Sequence, residues 1–259
     1  MNKNNSKVVI LAGGYGTRLG TLTKLKPKPM VDVCGKPIIE HIIQLYLKSG
    51  FSNFIICGGY KSEVIKDYFK KKFRKNVLLN NKNETFIKKN NFTIRIVNTG
   101  KNSLTGGRIK RIRKYVEKDA FFHMTYGDGL SNVNINKLTK FHLKNKKFAT
   151  VTTVKIQVPQ ERFGVVYFKN KNTVKEFVEK PDIKEIFING GFFVLNSKIF
   201  KFIKDDFTRW EAKPLERIAK QKQLAAFKHT GFWKCMDTIR DRKYLEQFKN
   251  KKFPWNTLN

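Results

Sequence analysis

Apolar residues in this chain fall into short runs and helical stripes that alternate. Lys7-Val8-Val9-Ile10-Leu11 is a compact run closing toward glycine, the pattern of a strand buried on both faces. Pro37 opens a segment whose Ile39, Ile42, Ile43 and Tyr46 share one helical face, and Gly50 stops it. Phe54-Ile55-Ile56-Cys57 is a second strand-like run, closed by Gly58-Gly59. Val64, Ile65, Tyr68 and Phe69 predict another amphipathic helix. Residues 93–97 read as a strand, Ile109, Ile112, Tyr115 and Val116 as the face of a helix after it, and residues 120–125 as a further strand. The polar, Asn/Lys-rich stretch 74–91 reads as a long loop with the dimensions of a lid.

The rhythm changes after residue 149. Stretches 149–156, 164–168, 173–178 and 188–195 are closely spaced strand candidates, which predicts antiparallel strands added to the sheet. Helical patterning returns at 214–220 and 239–249. With no internal repeat and no linker, one domain over residues 1–259 is expected. The β-α-β-α order predicts an α/β fold: a Rossmann-like, mixed, mainly parallel sheet flanked by helices, with ligands beyond the C-terminal strand ends.

Composition narrows the classes. Forty per cent hydrophobic content over 259 residues supports a sizeable core and excludes a disordered or collagen-like chain. No apolar run approaches the roughly 20 residues of a membrane span. Residues 1–7 are polar and lack the apolar stretch of a signal peptide, so a cytoplasmic location is expected. Cys34, Cys57 and Cys235 are scattered without CxxC spacing, which fits a reducing compartment and no cysteine metal site. The net charge of +34 raises nucleic acid as a partner. Lysine supplies most of it, spread along the whole chain, and that reads as compositional bias. No nucleic-acid partner is expected, although a basic RNA-binding scaffold is the competing class.

The strongest chemical signal follows the first strand: Leu11-Ala12-Gly13-Gly14-Tyr15-Gly16-Thr17-Arg18-Leu19. Glycines let backbone N–H groups converge into an anion-binding nest, and Arg18 adds a charge-assisted donor. The loop is no Walker A motif, which needs Gly-Lys-Ser/Thr after its last glycine. Nor is it a dinucleotide fingerprint, because Leu19 stands where a third small residue belongs. Lys28, fixed between Pro27 and Pro29, would stabilise charge on a transferring phosphoryl group. Asp128, between Gly127 and Gly129 at a strand end, suits a Mg²⁺ ligand. Thr105-Gly106-Gly107 opens a helix, whose N-terminal amides can take an anion or a polar base edge. The histidines form no metal spacing, and His123 reads as a core residue.

The Gly-Gly-x-Gly-Thr-Arg-Leu loop, with Lys28 ahead of Gly35-Lys36-Pro37, resembles the sugar-1-phosphate nucleotidyltransferases. Five further stretches match in order: Thr105-Gly106-Gly107-Arg108, Thr125-Tyr126-Gly127-Asp128-Gly129, Arg162-Phe163-Gly164, Glu179-Lys180-Pro181 and Asn189-Gly190-Gly191-Phe192-Phe193. With Gly231-Phe232-Trp233 and Met236-Asp237-Thr238 they point to the cytidylyl-transferring branch. The resemblance implies a fold of the nucleotide-diphospho-sugar transferase type. It implies CTP and glucose 1-phosphate as substrates and Mg²⁺ held by Asp128 and Asp237. It places Leu11, Ala12, Gly13, Gly14, Gly16, Thr17, Arg18, Lys28, Ser103, Thr105, Gly106 and Arg108 at the nucleotide, with Arg18 and Lys28 catalytic. It places Gly164, Glu179, Lys180, Asn189 and Gly190 at the sugar phosphate. Residues 1–130 would form the nucleotide half and 131–259 the sugar half. A homo-oligomer, by resemblance a hexamer, is expected, and so is a role in surface-polysaccharide (O-antigen) synthesis. Uridylyl or thymidylyl transfer is the nearest alternative.

Overall fold

The computed structural model describes residues 6–155, 165–168, 170, 172–178 and 186–256. Its centre is a nine-stranded sheet. From edge to edge the strands are Leu224–His229, Ala149–Lys155, Phe187–Leu195, Phe122–Tyr126, Lys7–Ala12, Asn53–Gly58, Phe92–Asn98, Glu84–Lys89 and Val77–Asn80. The four strands from Phe122–Tyr126 to Phe92–Asn98 run parallel. Antiparallel pairings flank them on both sides.

The first strand is the spine. It pairs with Asn53–Gly58 on one side and with Phe122–Tyr126 on the other, so the chain leaves it in one direction and returns on the opposite side. A crevice opens beyond the strand ends at such a reversal. Period-2 alternation divides its side chains between two cores. Val8 and Ile10 enter one core, with the helices Ile38–Lys48, Ser62–Lys72 and Ile135–Asn145. Val9 and Leu11 enter the other, with Ile109, Ile112 and Val116. That double burial is why the run carries no polar position.

Three expectations need correction. Stretch 74–91 is no plain loop: it holds the strands Val77–Asn80 and Glu84–Lys89, a meander that closes one sheet edge. Its outer strand is largely exposed, so polar residues are tolerated and the alternation is hidden. The strands Val165–Phe168 and Val174–Val178 form their own two-stranded ribbon and do not extend the sheet. The strand Leu224–His229 and the helix Ile135–Asn145 were not anticipated. Among the described residues no helix is long and apolar enough to cross a membrane.

Histidines are built into the core in neutral form. Trp255 Nε1–H donates to His41 Nδ1 at 3.0 Å, while His41 Nε2–H donates to the Val33 carbonyl at 2.8 Å. A second ring proton would face the indole N–H. Burial pushes His41 and His142 down to about 4 and His123 to about 3. Between these values and the ordinary value near 6.5, the unfolded chain binds protons that the folded chain refuses, so stability falls as pH falls. Unfolding free energies from urea titration should decline from pH 6.5 toward 4.5, by about 1 kcal/mol per pH unit for each of these histidines. A flat profile over that range would contradict the assignment.

Candidate active site

The first strand ends at Ala12, and the glycine loop turns into a short 3-10 segment at Thr17–Leu19. Gly16 has φ +64°, and a Cβ there would lie 2.9 Å from the Lys28 Cβ. Glycine is therefore required both by the turn and by the approach of the lysine segment. The loop lines a cleft of about 360 Å³ with Lys28, Pro29, the segment 101–105, Arg108 and Tyr126–Gly127–Asp128. Arg18 is 73% exposed in its side chain and leans on Asp237 at 3.2 Å, which leaves it free to meet an anion.

Asp128 and Asp237 lie far apart in sequence, and local structure brings them together. Strand Trp233–Cys235 pairs antiparallel with Gly129–Ser131, and the Met236 amide donates to the Asp128 carbonyl at 2.9 Å. Asp237 then precedes a capping box: the Asp241 carboxylate accepts from the amides of Asp237 (3.0 Å) and Thr238 (2.8 Å). Lys28 Nζ stands between the pair, 2.6 Å from Asp128 Oδ2 and 2.6 Å from Asp237 Oδ1. Burial works against the Lys28 charge, but the two carboxylates outweigh it and hold its pKa above the ordinary lysine value. The pair presents hard oxygen donors of the kind a Mg²⁺-type ion requires. Cys235 is a neighbour that sequence reasoning passed over, with Sγ within 4.8 Å of both carboxylates. Burial, then Asp128, pushes its thiol up and keeps it protonated.

A second cavity of about 270 Å³ adjoins the first. Arg18, Tyr126, Asp128 and Asp237 line both. Asn189, Gly190, Gly191, Phe192 and Trp233 form its other walls. Trp233 Nε1–H donates to the Gly190 carbonyl at 2.7 Å and fixes that backbone. Gly164, Glu179 and Lys180 lie outside the described residues.

The helix Thr105–Arg111 departs from its expected role. The Gly106 and Gly107 amides both donate to the Thr208 carbonyl, at 2.9 and 3.3 Å, so the helix N-terminus is already capped. A Cβ on Gly107 would lie 2.3 Å from the Asp206 carbonyl oxygen: the glycines serve close packing against the 205–208 loop. Ser103, Thr105 and Arg108 do line the cleft, whereas Gly106 does not. Arg108 is 4% exposed and donates to the carbonyls of Gly13 (2.9 Å), Gly58 (3.2 Å), Gly100 (2.8 Å) and Lys101 (3.3 Å) and to Thr99 Oγ1 (2.9 Å). It ties the glycine loop to the ends of two neighbouring strands. Sequence reasoning also missed Tyr15, whose hydroxyl donates to Asn102 Oδ1 at 2.9 Å at the cleft edge, and Glu211. No motif signal marked either.

Comparison with known proteins adds to this geometry. A family model described as nucleotidyl transferase matches residues 7–241. The chain is 45% identical over 263 aligned residues to glucose-1-phosphate cytidylyltransferase of Salmonella typhimurium, covering 97% of this chain and 99% of that protein. Among solved structures it is similar to HddC from Yersinia pseudotuberculosis complexed with GMP-PN, with TM-score 0.66 and 25% identity over 93% of this chain and 98% of that one. UDP-glucose pyrophosphorylase complexed with UDP-glucose shares the fold at TM-score 0.68 and 18% identity, over 93% of this chain and 97% of that one.

The capping box fixes one carboxylate of the pair, which makes Asp241 a test of the construction. Asp241→Ala removes the acceptor for two backbone amides and an ion pair with Lys234 at 2.6 Å. It should lower unfolding stability by about 1–2 kcal/mol in urea titration. A loss under a few tenths would show that the ribbon alone places Asp237.

Proposed function

Because the chain belongs to the nucleotidyl transferase family, we propose that its cleft transfers a cytidylyl group from CTP to α-D-glucose 1-phosphate, giving CDP-glucose and pyrophosphate. The observation that carries this reading is the carboxylate pair at the corner shared by two cavities, in a chain 45% identical along almost its whole length to a cytidylyltransferase. One cavity takes the nucleotide and the other the sugar phosphate. A phosphate oxygen of glucose 1-phosphate attacks the α-phosphorus of CTP. The bond from that phosphorus to the bridging oxygen breaks, and pyrophosphate leaves in line. The nucleophile is already ionised at neutral pH, so no general base is needed, and none of the neutral core histidines is asked to act.

The residues divide the work as follows. The backbone of Leu11, Ala12, Gly13, Gly14, Gly16 and Thr17 cradles the triphosphate, and the exposed guanidinium of Arg18 takes the β- and γ-phosphates. Lys28 places positive charge at the reacting centre. Ser103, Thr105 and Arg108 border the base and phosphates. Asp128 and Asp237 hold a divalent cation, Mg²⁺ in this reading, whose chemistry when bound is charge neutralisation on the reacting phosphates. Asn189 and Glu179 take sugar hydroxyls, Gly164 and Gly190 allow the backbone to approach the ring, and Lys180 orients the nucleophilic phosphate. Residues 1–130 thereby serve the nucleotide and 131–259 the sugar, with Asp237 closing the cation site from the second half. A cytoplasmic homo-oligomer, hexameric by resemblance, belongs to the same reading. Leu78, 63% exposed on the edge strand, is compatible with such contact.

Pyrophosphate release with glucose 1-phosphate and Mg²⁺, measured with CTP, UTP, dTTP, ATP and GTP in parallel, tests the reading. Release should be greatest with CTP, and equal or faster release with UTP or dTTP would overturn the base assignment. Asp128→Ala should cost about 10²–10³-fold in kcat with the fold intact by circular dichroism. Retention of most Mg²⁺-dependent activity would sink the cation assignment.

A further inference from the structure

Two walls of the cleft are joined by one carboxylate that touches neither cavity. Glu211 lies on the loop between the 3-10 segment Ser197–Phe202 and the helix Lys213–Lys220. Its Oε2 accepts from Thr105 Oγ1 at 2.6 Å and its Oε1 accepts from the Tyr126 hydroxyl. The two donors share the first cavity, and only Tyr126 reaches the second. Thr105 lines the first cavity and is held from behind by the Trp210 amide at 2.9 Å. Tyr126 lines both cavities and stands two residues before Asp128.

Tyr126 is placed as a partition. A Cβ on Gly191 would fall 2.9 Å from its ring, and Gly191 has φ +81°, so the backbone there makes room for the tyrosine. Asn189, beside the phenol, borders the second cavity. A carboxylate suits this position. The two hydroxyls reach different oxygens of Glu211, and a glutamine would set an NH₂ group, a donor, against one of them.

We propose that Glu211 is a positioning residue that braces the nucleotide wall against the sugar wall, acting mainly through Tyr126 and so on the placement of Asp128. The proposal rests on the two-substrate reading of the cleft. Glu211 touches no reacting atom in it. Its loss lets the partition move, which misaligns the reacting groups, and small misalignments are costly in reactions that depend on positioning.

Initial rates with each substrate varied test the brace. Glu211→Ala should lower kcat about tenfold and raise KM for the sugar phosphate more than KM for the nucleotide. Tyr126→Phe should give the same pattern, and the double variant should be no worse than twice the larger single effect, because both changes break one link. Glu211→Gln, with one acceptor left, should fall between Glu211→Ala and the parent. Effects that multiply in the double variant, or a Glu211→Ala enzyme within twofold of the parent in kcat and both KM values, would overturn the proposal. Amide hydrogen exchange reads the brace without turnover: Glu211→Ala should speed exchange in segments 104–110 and 125–129, and unchanged exchange in both would overturn it. Absence of turnover in the parent protein would instead count against the functional reading alone.

Discussion

Two carboxylates at one half-buried corner repel each other, and the architecture of the cleft follows from answering that repulsion. Lys28 answers it with a single ammonium that contacts both acids. Such an arrangement is expensive to desolvate and is retained only where geometry is good on every side. The lysine segment is set by flanking prolines and by the side-chain-free Gly16. Asp128 is set by a strand of the main sheet, and Asp237 by a ribbon and a capping box. Each part has a separate local cause, and the corner exists only when all are present. The ammonium takes one oxygen of each acid, Asp128 Oδ2 and Asp237 Oδ1, and the second Asp237 oxygen meets Arg18.

The sheet supplies the rigidity this corner needs. Its spine is buried on both faces, and the cleft opens where the chain reverses direction across that spine. Arg108 extends the same rigidity into the loops, since its guanidinium gathers carbonyls from the glycine loop and from the ends of two strands. A buried arginine with so many neutral acceptors contributes more to loop placement than to the field in the cleft.

Much of this was legible in the letters, and the limits are physical. The spine strand, the helix Ile38–Lys48 and the glycine loop declare themselves because burial on both faces, a helical stripe and a strained turn each leave a dense pattern. Asp128 was legible from its glycine neighbours. That Asp237 reaches it was not, since long-range pairing leaves no local mark; only the resemblance suggested it. The edge strands within 74–91 were hidden because one-sided, solvent-facing strands tolerate the Asn and Lys of a loop. Gly106 was expected at the nucleotide, whereas it and Gly107 pack closely against the 205–208 loop, and a glycine demanded by close approach looks the same in sequence either way. Glu211 gave no signal, because a brace is defined by what lies on its two sides.

The strand order also has a consequence for how the molecule comes into being. Phe187–Leu195 is inserted between Phe122–Tyr126 and Ala149–Lys155, two strands made well before it. The ribbon carrying Asp237 comes later still, after Leu224–His229. During synthesis the emerging chain therefore acquires its glycine turn first and its second carboxylate near the end. A nascent or C-terminally clipped molecule would hold Arg18 and Lys28 against one aspartate at the corner, with excess positive charge. Anion capture would precede chemical competence, and the last few dozen residues would convert one into the other.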